Sequence, residues 1–257
     1  MKWLGKYPQN LSGFVTTAER EWRSIIEWAY GYSDREVWLT GLPRFDRLYH
    51  EEQKQITFMP TWRLWLFSSP NQVTGVWSPR PGFTESNYFK FYNALFSNKR
   101  LITVACELGY TLAFYPHPMV RLNGLVDKFN LSDVQILSST TPYREIYAKS
   151  NLVVTDYSSA AFDFAYLRKP VLYTHFDKEE MFSGKHTVVK GYFDDERDGF
   201  GEVTYTLEEM VDCLIDYMKN GCQLKDKYRE RIDHFFAFND QNNCERVYQK
   251  VCELLRP

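Results

Sequence analysis

Apolar and polar residues along the chain fall into blocks that predict alternating strands and helices. The strand-like blocks are short apolar runs that end in polar or proline-containing segments, at residues 56–59, 111–115, 134–137, 152–155 and 171–173. Most blocks between them carry apolar residues three and four positions apart, as in amphipathic helices. From residue 56 onward this alternation predicts an α/β fold with a doubly wound, mostly parallel, Rossmann-like sheet.

The segment NLVVTDYSSAAFDFAYLRKPVLY, residues 151–173, is the unit around which the chain is organised. It predicts a buried strand, a polar turn that begins at Asp156 and ends with Ser158 and Ser159, a short helix over residues 160–167, and a second strand. Ligands of open parallel sheets bind at the carboxyl ends of the strands, and a helix start with small residues offers N–H groups to an anion. We therefore expect a phosphate group at the two serines.

Further helices are predicted on both sides of this unit, at residues 85–108 (one long or two short helices), 119–129, 142–149, 207–219, 224–236 and 240–255. Thr206 is the expected N-cap of the helix at 207–219. Residues 187–189 and 203–205 predict two short strands, separated by an acidic loop at 194–199.

The first 45 residues predict a strand at 14–18, a helix at 19–30 and a strand at 36–40, ended by Gly41, Leu42 and Pro43. This portion is too small to form a separate core. We expect residues 1–45 to be the remnant of an N-terminal domain and residues 46–257 to form the main, ligand-binding domain.

Composition excludes several classes of protein. The formal net charge is -2, without the basic excess of a general nucleic-acid binder. The five cysteines contain no CxxC pair, which is typical of a reduced, cytosolic protein, and they indicate no metal cluster. No apolar run approaches the roughly 20 residues of a membrane span, so we expect a soluble or peripheral protein without bound nucleic acid.

Polar side chains follow three predicted strands: Thr61 and Arg63, then His117, then the serines with Asp163. The carboxyl ends of parallel strands lie along one edge of a sheet, so these groups should converge there. A guanidinium, an imidazole and serine donors together suit a phosphate. Asp163, four residues after Ser159, lies on the same helix face and within reach of a sugar hydroxyl. The pattern favours a nucleotide-diphosphate pocket.

Each of these residues also has a purely structural interpretation. The serines fit a plain N-cap, Asp163 an exposed helix position, and His117 a turn between prolines. Arg63 fits stacking on Trp62, and Arg44 fits a cap of the polar linker at 46–55. The acidic run at 194–198 suggests a divalent site but lacks regular ligand spacing, so we assign it no metal.

Motifs of other enzyme classes are absent from the sequence. It contains no GxSxG, GxxxxGK[ST], HExxH or GxGxxG. A hydrolase, a P-loop kinase and a dinucleotide oxidoreductase are therefore not favoured.

Several segments, in order and with similar spacing, resemble the CDP-glycerol glycerophosphotransferase family, the teichoic acid and capsule polymerases with a GT-B fold. They are GLPRFDRL, ITFMPTWR, YPHP, the segment at 151–173, and FNDQNNCERV near the end. The resemblance implies a transferase in which a hydroxyl of a lipid-linked polyol-phosphate or saccharide acceptor attacks the β-phosphorus of a CDP-polyol and releases CMP. It implies the C-terminal, donor-binding half of the GT-B fold, and no cofactor.

The resemblance also implies roles for the residues singled out above. Ser158 and Ser159 would bind the donor diphosphate, with help from Thr61 and Arg63. His117 would stabilise charge on the transferring phosphoryl group or its leaving group. By the same resemblance Asp163 would bind the ribose, the cytidine would lie near residues 136–141, and Arg44 and Asp156 would be accessory.

One departure from the family concerns the acceptor side. The family's first domain carries a His-Gly motif whose histidine acts as the base, and none of the histidines at positions 50, 117, 175, 186 and 234 precedes a glycine. We therefore expect a donor-binding half that acts with a separate N-terminal domain or as a homo-oligomer, in the cytoplasm at the inner face of the membrane. Two alternatives stay open: a catalytically silent nucleotide- or partner-binding module, and a nucleotide-sugar glycosyltransferase of the same fold.

Overall fold

The computed structural model of the protein describes residues 5–9, 11–28, 30–51 and 53–256. It divides into two units, the first formed by Met1–Tyr49 with Asp226–Pro257 and the second by His50–Lys225. The helices after residue 225, which the sequence analysis placed in the ligand-binding domain, thus belong to the first unit.

The larger unit is built on a six-stranded sheet with the order β5-β4-β3-β6-β7-β8, in which every neighbouring pair is parallel. The strands are β3 (Gln55–Phe58), β4 (Thr111–Phe114), β5 (Gln135–Ile136), β6 (Leu152–Thr155), β7 (Val171–Thr174) and β8 (Gly201–Thr204). Every residue of β3, β6 and β7 is buried, as expected for parallel strands covered on both faces. The predicted fold class is confirmed.

Helices connect these strands: α3 (Asn87–Phe96), α4 (Lys99–Glu107), α5 (Pro118–Leu122), α6 (Tyr143–Lys149), α7 (Ala160–Tyr166), α8 (Lys178–Glu180), α9 (Asp195–Asp198) and α10 (Leu207–Lys219). The region predicted as one or two helices at 85–108 forms two, separated at Ser97 and Asn98. Thr206 caps α10 in a capping box with Glu209, as predicted. The prediction of a strand at 187–189 is wrong. These residues form no strand, and the Val188 amide donates to the His186 ring instead.

One face of the sheet is covered by α3, α4 and α10. Ile56, Phe58, Leu152 and Val154 pack into the same core cluster as aromatic and aliphatic residues of these helices. Side chains alternate between the faces of a strand, so Thr57 points to the opposite face. Each fully buried aliphatic side chain of this kind stabilises the fold by roughly 1.5–3 kcal/mol.

The side chain of Lys169 caps the carboxyl end of α6, a role that the sequence did not predict. Its ammonium donates to the backbone oxygens of Tyr147, Ala148 and Ser150 at 2.9, 2.7 and 2.8 Å. These carbonyls lie at the carboxyl end of α6, where a cation also complements the helix dipole. Lys169 therefore ties α6 to the start of β7.

The smaller unit contains α1 (Lys6–Gln9), β1 (Phe14–Thr16), α2 (Glu19–Glu27), β2 (Val37–Leu39), a 3₁₀ helix (Pro43–Arg47), α11 (Asp226–Phe235) and α12 (Asn243–Leu255). Strands β1 and β2 are parallel. Asp46 accepts hydrogen bonds from the amides of Asn243 and Cys244 at 3.0 and 2.6 Å and so caps α12. This contact joins the GLPRFDRL and FNDQNNCERV segments and explains why the C-terminal helices belong to this unit.

Candidate functional site

The polar turn after β6, residues 156–159, is called the serine turn here. The hydroxyl of Ser158 accepts a hydrogen bond from the Ala160 amide at 3.2 Å, and the Ser158 carbonyl accepts one from the Ala161 amide. Ser158 is half-buried and Ser159 is exposed. Both serines therefore lie at the surface, directly before α7.

The serine turn lies where the sheet reverses its direction of growth. From β3 the chain adds β4 and β5 on one side, then returns to place β6, β7 and β8 on the other. In doubly wound sheets such a reversal leaves a crevice outside the carboxyl ends of the two strands, here β3 and β6, and ligands bind there. Thr61 follows β3 and the serine turn follows β6, so both border this crevice.

Asp156 joins these two strand ends. Its Oδ1 accepts hydrogen bonds from the backbone amides of Thr61 at 2.8 Å and Tyr157 at 2.7 Å. The side chain is 1% exposed. Asp156 therefore holds the first amide of the serine turn and the segment after β3 in one arrangement.

Arg63 lies beneath the serine turn and is fully buried. Its Nε is 2.6 Å from Asp177 Oδ2, its Nη2 is 2.9 Å from Asp156 Oδ2, and its Nη1 donates to the Thr61 carbonyl at 2.6 Å. Burial alone would lower the pKa of the guanidinium, but Asp156 and Asp177 raise it above its ordinary value. The structure thus brings Arg63 to the predicted edge, with each of its three nitrogens bound to protein oxygens.

Three aromatic rings surround the same guanidinium. The Arg63 Cζ is 5.2 Å from the ring centre of Tyr88 and 5.5 Å from those of Tyr157 and Phe176. Rings at this distance attract a cation and exclude water from it. Asp177, the second carboxylate partner, was not anticipated from the sequence, because nothing local marks it as the partner of a residue 114 positions away.

His117 follows β4 and caps α5. Its Nδ1 accepts a hydrogen bond from the Met119 amide at 3.2 Å, and its ring stacks on Trp62 with centres 5.8 Å apart and planes 12° apart. An acceptor role for Nδ1 places the proton of the neutral ring on Nε2. Burial lowers the pKa of His117, and His186 lowers it further against the opposing effect of Asp156.

His186 is a second histidine at this edge, and sequence reasoning missed it. Its ring contacts the edges of Trp62 and Trp65, with centres 6.1 and 6.2 Å apart. Burial lowers its pKa, and the nearby Arg63 lowers it further. Trp62 therefore lies between two imidazoles that come from loops after different strands.

A cleft of about 510 Å³ opens beside the serine turn and is called the serine cleft here. His175 lies in its wall, with its ring stacked on Tyr157 at 4.6 Å and its Nε2 3.0 Å from Asp195 Oδ2. The other lining residues come from the serine turn, the start of α7 and the segment before β8: Asp156, Ser158, Ser159, Phe162, Lys178, Phe182, Val188, Val189, Lys190, Gly191, Tyr192, Phe193, Asp194, Glu196 and Arg197.

The acidic run at 194–198 forms one wall of this cleft. Asp194 accepts from the amides of Glu196 and Arg197 and so caps α9, while Glu196 pairs with Lys178. Arg197 Nη2 lies 2.6 Å from Asp198 Oδ2. These carboxylates are bound by protein groups, and no cluster of three or more metal-binding side chains occurs within the described residues.

The remaining predicted site residues lie elsewhere. Asp163 is in the first turn of α7 and only 6% exposed, and it is not among the described residues that line the serine cleft. Arg44 belongs to the smaller unit, where its guanidinium lies 5.2 Å from the Phe45 ring centre.

Comparison with known proteins identifies the family of this chain. The family model for "CDP-Glycerol:Poly(glycerophosphate) glycerophosphotransferase" matches residues 5–253. The chain belongs to this glycerophosphotransferase family.

Individual relatives of the family agree with this assignment. The chain is 39% identical to the minor teichoic acid biosynthesis protein GgaB of Bacillus subtilis (strain 168), over 98% of this chain and 27% of that protein. It is 23% identical to a teichoic acid poly(ribitol-phosphate) polymerase of Bacillus spizizenii, over 96% of this chain and 38% of that one. This member of the glycerophosphotransferase family thus spans less than half the length of these two relatives.

A solved structure agrees with the family's fold. The wall teichoic acid polymerase TagF superposes with a TM-score of 0.61 at 18% identity, covering 98% of this chain and 62% of that one. At this identity the likeness concerns the fold alone, and it supports the GT-B-like architecture expected of the glycerophosphotransferase family. None of the helices in the described part of the chain combines the length and hydrophobicity of a membrane span.

Proposed function

We propose that this chain binds a CDP-activated polyol, with CDP-glycerol as the reference donor, and serves its transfer to a teichoic acid acceptor. In that reaction an acceptor hydroxyl oxygen forms a bond to the β-phosphorus of the donor. The bond from this phosphorus to the bridging oxygen breaks, CMP leaves with that oxygen, and the hydroxyl proton passes to a base. The donor itself carries the activated phosphoryl group, and the proposal assigns no resident cofactor.

One observation carries this proposal: in a chain of this family, the serine turn borders the crevice where the sheet reverses direction. A diphosphate in this crevice would meet the Ser158 and Ser159 hydroxyls on the β6 side and Thr61 on the β3 side. Hydrogen bonds to a charged phosphate contribute roughly 1.5–3 kcal/mol each, so loss of one such donor should lower the affinity about tenfold or more.

We propose that His117 stabilises charge on the transferring phosphoryl group or on its leaving group. Its Nδ1 is occupied by the Met119 amide, so the neutral ring presents Nε2–H as a donor. The lowered pKa favours this neutral form near neutral pH. A donor placed where charge develops lowers the barrier by up to several kcal/mol, so we expect His117→Ala to slow transfer more than it weakens donor binding.

The acceptor and the cellular location of the protein are proposed from its family. The names of the relatives point to teichoic acid synthesis, and we propose a lipid-linked polyol-phosphate or saccharide acceptor met at the inner face of the cell membrane. We propose that an N-terminal domain or a second copy of the chain supplies the acceptor side, because none of the histidines in this sequence precedes a glycine.

A ligand panel followed by thermal unfolding tests the donor class. A ligand that binds only the folded state raises the melting temperature according to its concentration and affinity. CDP-glycerol and CMP should raise it, whereas UDP-sugars at the same concentration should not. Stabilisation by UDP-sugars alone would contradict the proposal and favour a nucleotide-sugar glycosyltransferase.

A further inference from the structure

The buried cluster of Arg63, Asp156 and Asp177 is positioned to control the serine turn from below. Asp177 lies after β7, Asp156 after β6 and Arg63 after β3, and all are at most 6% exposed. Two carboxylates that share one guanidinium connect the carboxyl ends of three adjacent strands.

A series of contacts connects Asp177 to the serine turn. Asp177 holds the guanidinium through both oxygens, Oδ2 to Nε at 2.6 Å and Oδ1 to Nη2 at 3.1 Å. The same Nη2 reaches Asp156 Oδ2 at 2.9 Å, and Asp156 Oδ1 in turn accepts the amide of Tyr157, which precedes Ser158. A bidentate pair fixes the orientation of the guanidinium plane as well as its place.

Asp177 lines a neighbouring cavity of about 710 Å³ rather than the serine cleft. It is not among the described residues that line the serine cleft, whereas Asp156 and the serines are. The guanidinium of Arg63 and the carboxylate of Asp156 connect Asp177 to the serine turn.

We propose that Asp177 is a positioning residue for the donor diphosphate, acting through Arg63 and Asp156 to hold the serine turn in its phosphate-binding geometry. The inference rests on the proposed function for the identity of the ligand. It changes the expectation for Arg63, which supports the phosphate-binding turn rather than contacting phosphate. Loosening the cluster should weaken binding of the diphosphate and leave the nucleoside part of the ligand unaffected.

The first experiment compares Asp177→Asn with wild type by titration calorimetry, using CDP and cytidine as probes. Asparagine keeps the shape of the side chain but removes its charge. We expect CDP affinity to fall roughly tenfold or more, as when one hydrogen bond to a charged group is lost, and cytidine affinity to change less than about twofold. Equal loss for both probes, or no loss for either, would overturn the inference.

A matched control separates positioning from general destabilisation. Leu214→Ala removes a fully buried side chain from α10 and lowers the melting temperature without touching the cluster. Amide hydrogen exchange at Thr61, Tyr157 and Ala160 should become roughly tenfold faster in Asp177→Asn than in Leu214→Ala, since those amides are held by Asp156 and Ser158. Similar rates in the two variants would overturn the inference.

A second variant covers the case in which Asp177→Asn fails to fold. Asp177→Glu keeps the negative charge beside the buried Arg63 guanidinium, but its longer side chain shifts the carboxylate. We expect its melting temperature to lie closer to that of wild type than that of Asp177→Asn does, while CDP affinity is lower and Tyr157 exchange is faster than in wild type. Wild-type affinity and exchange in Asp177→Glu would show that the cluster is only structural.

The exchange measurement also keeps this inference separate from the proposed function. If wild-type protein does not bind CDP but the cluster variants still loosen the serine turn, the proposed function fails and the control of the turn by Asp177 stands. If wild-type protein binds CDP and the Asp177 variants match Leu214→Ala in both measurements, the inference fails and the proposed function stands.

Discussion

The backbone amide of Thr61 donates a hydrogen bond to Asp156 at 2.8 Å, although the two residues are 95 positions apart in the sequence. The contact joins the segments that follow β3 and β6, the two strands that border the crevice of the sheet. One buried carboxylate thus sets the distance between the two sides of the proposed donor site.

Replacing this carboxylate should destabilise the fold. In Asp156→Asn the guanidinium of Arg63 loses one of its two charged partners but keeps Asp177, and the amides of Thr61 and Tyr157 lose a charged acceptor, so we expect a loss of about 1.5–3 kcal/mol. Urea unfolding measures the loss, with Asp127→Asn, an exposed site, as the control expected to change stability by less than about 0.5 kcal/mol. A loss in Asp156→Asn as small as that of the control would contradict the account.

The fold could be predicted because its signals are local. β3, β6 and β7 are short apolar runs buried on both faces, and each is followed by polar residues at the edge of the sheet. The start of α10 was predicted because Thr206 is a favourable N-cap, and the structure adds a capping box with Glu209. The convergence of Thr61, Arg63 and the serine turn followed from the parallel arrangement alone.

Features that depend on distant contacts could not be predicted. Nothing near Asp177 shows that it holds Arg63, and His186 has no neighbour in the sequence that marks it as a partner of Trp62. That α11 and α12 belong to the smaller unit depends on Asp46. This residue caps α12, which begins nearly 200 residues later. Such contacts depend on tertiary packing, and the hydrophobic periodicity of the sequence does not predict them.

Gly41→Ala should disrupt the junction between Asp46 and α12. Gly41 has φ +76°, and a Cβ there would lie 1.8 Å from Asn243 Oδ1, on a side chain that is fully buried. Gly109→Ala is the matched control, with φ +71° but nothing within 4 Å of its added Cβ. Both carry the backbone penalty of about 1–2 kcal/mol, and the clash should cost Gly41→Ala about 2 kcal/mol more in urea unfolding. Equal losses would show that Asn243 moves aside freely.

Acid should destabilise the protein through its two histidines at the sheet edge. Folding lowers the pKa of His117 and of His186 below the ordinary 6.5, chiefly by burial. Between the lowered and ordinary values the unfolded chain binds more protons than the folded one, so the free energy of unfolding falls as the pH drops below 6.5. In His117→Gln with His186→Gln this decline should be smaller when unfolding is compared at about pH 7.5 and about pH 5.5. Identical declines would contradict the pKa assignment.

Asp163→Ala tests the proposed ribose contact. If Asp163 accepts hydrogen bonds from ribose hydroxyls, the variant should weaken CDP binding roughly tenfold, the effect of losing a charged hydrogen bond, and leave binding of inorganic pyrophosphate unchanged. Only 6% of Asp163 is exposed, so a melting curve of each variant must accompany the titration. An equal loss for CDP and pyrophosphate would assign Asp163 to the support of α7.

The central claim, that the serine turn binds the diphosphate of a CDP-polyol, is tested most directly by titrating CDP-glycerol into wild-type protein and into Ser158→Ala with Ser159→Ala. Ser132→Ala, at an exposed serine outside the site, is the control. We predict saturable binding to wild type and to the control, and affinity at least tenfold lower in the double variant, because two donors to a charged phosphate are lost. Equal affinity in the wild type and the double variant would contradict the claim.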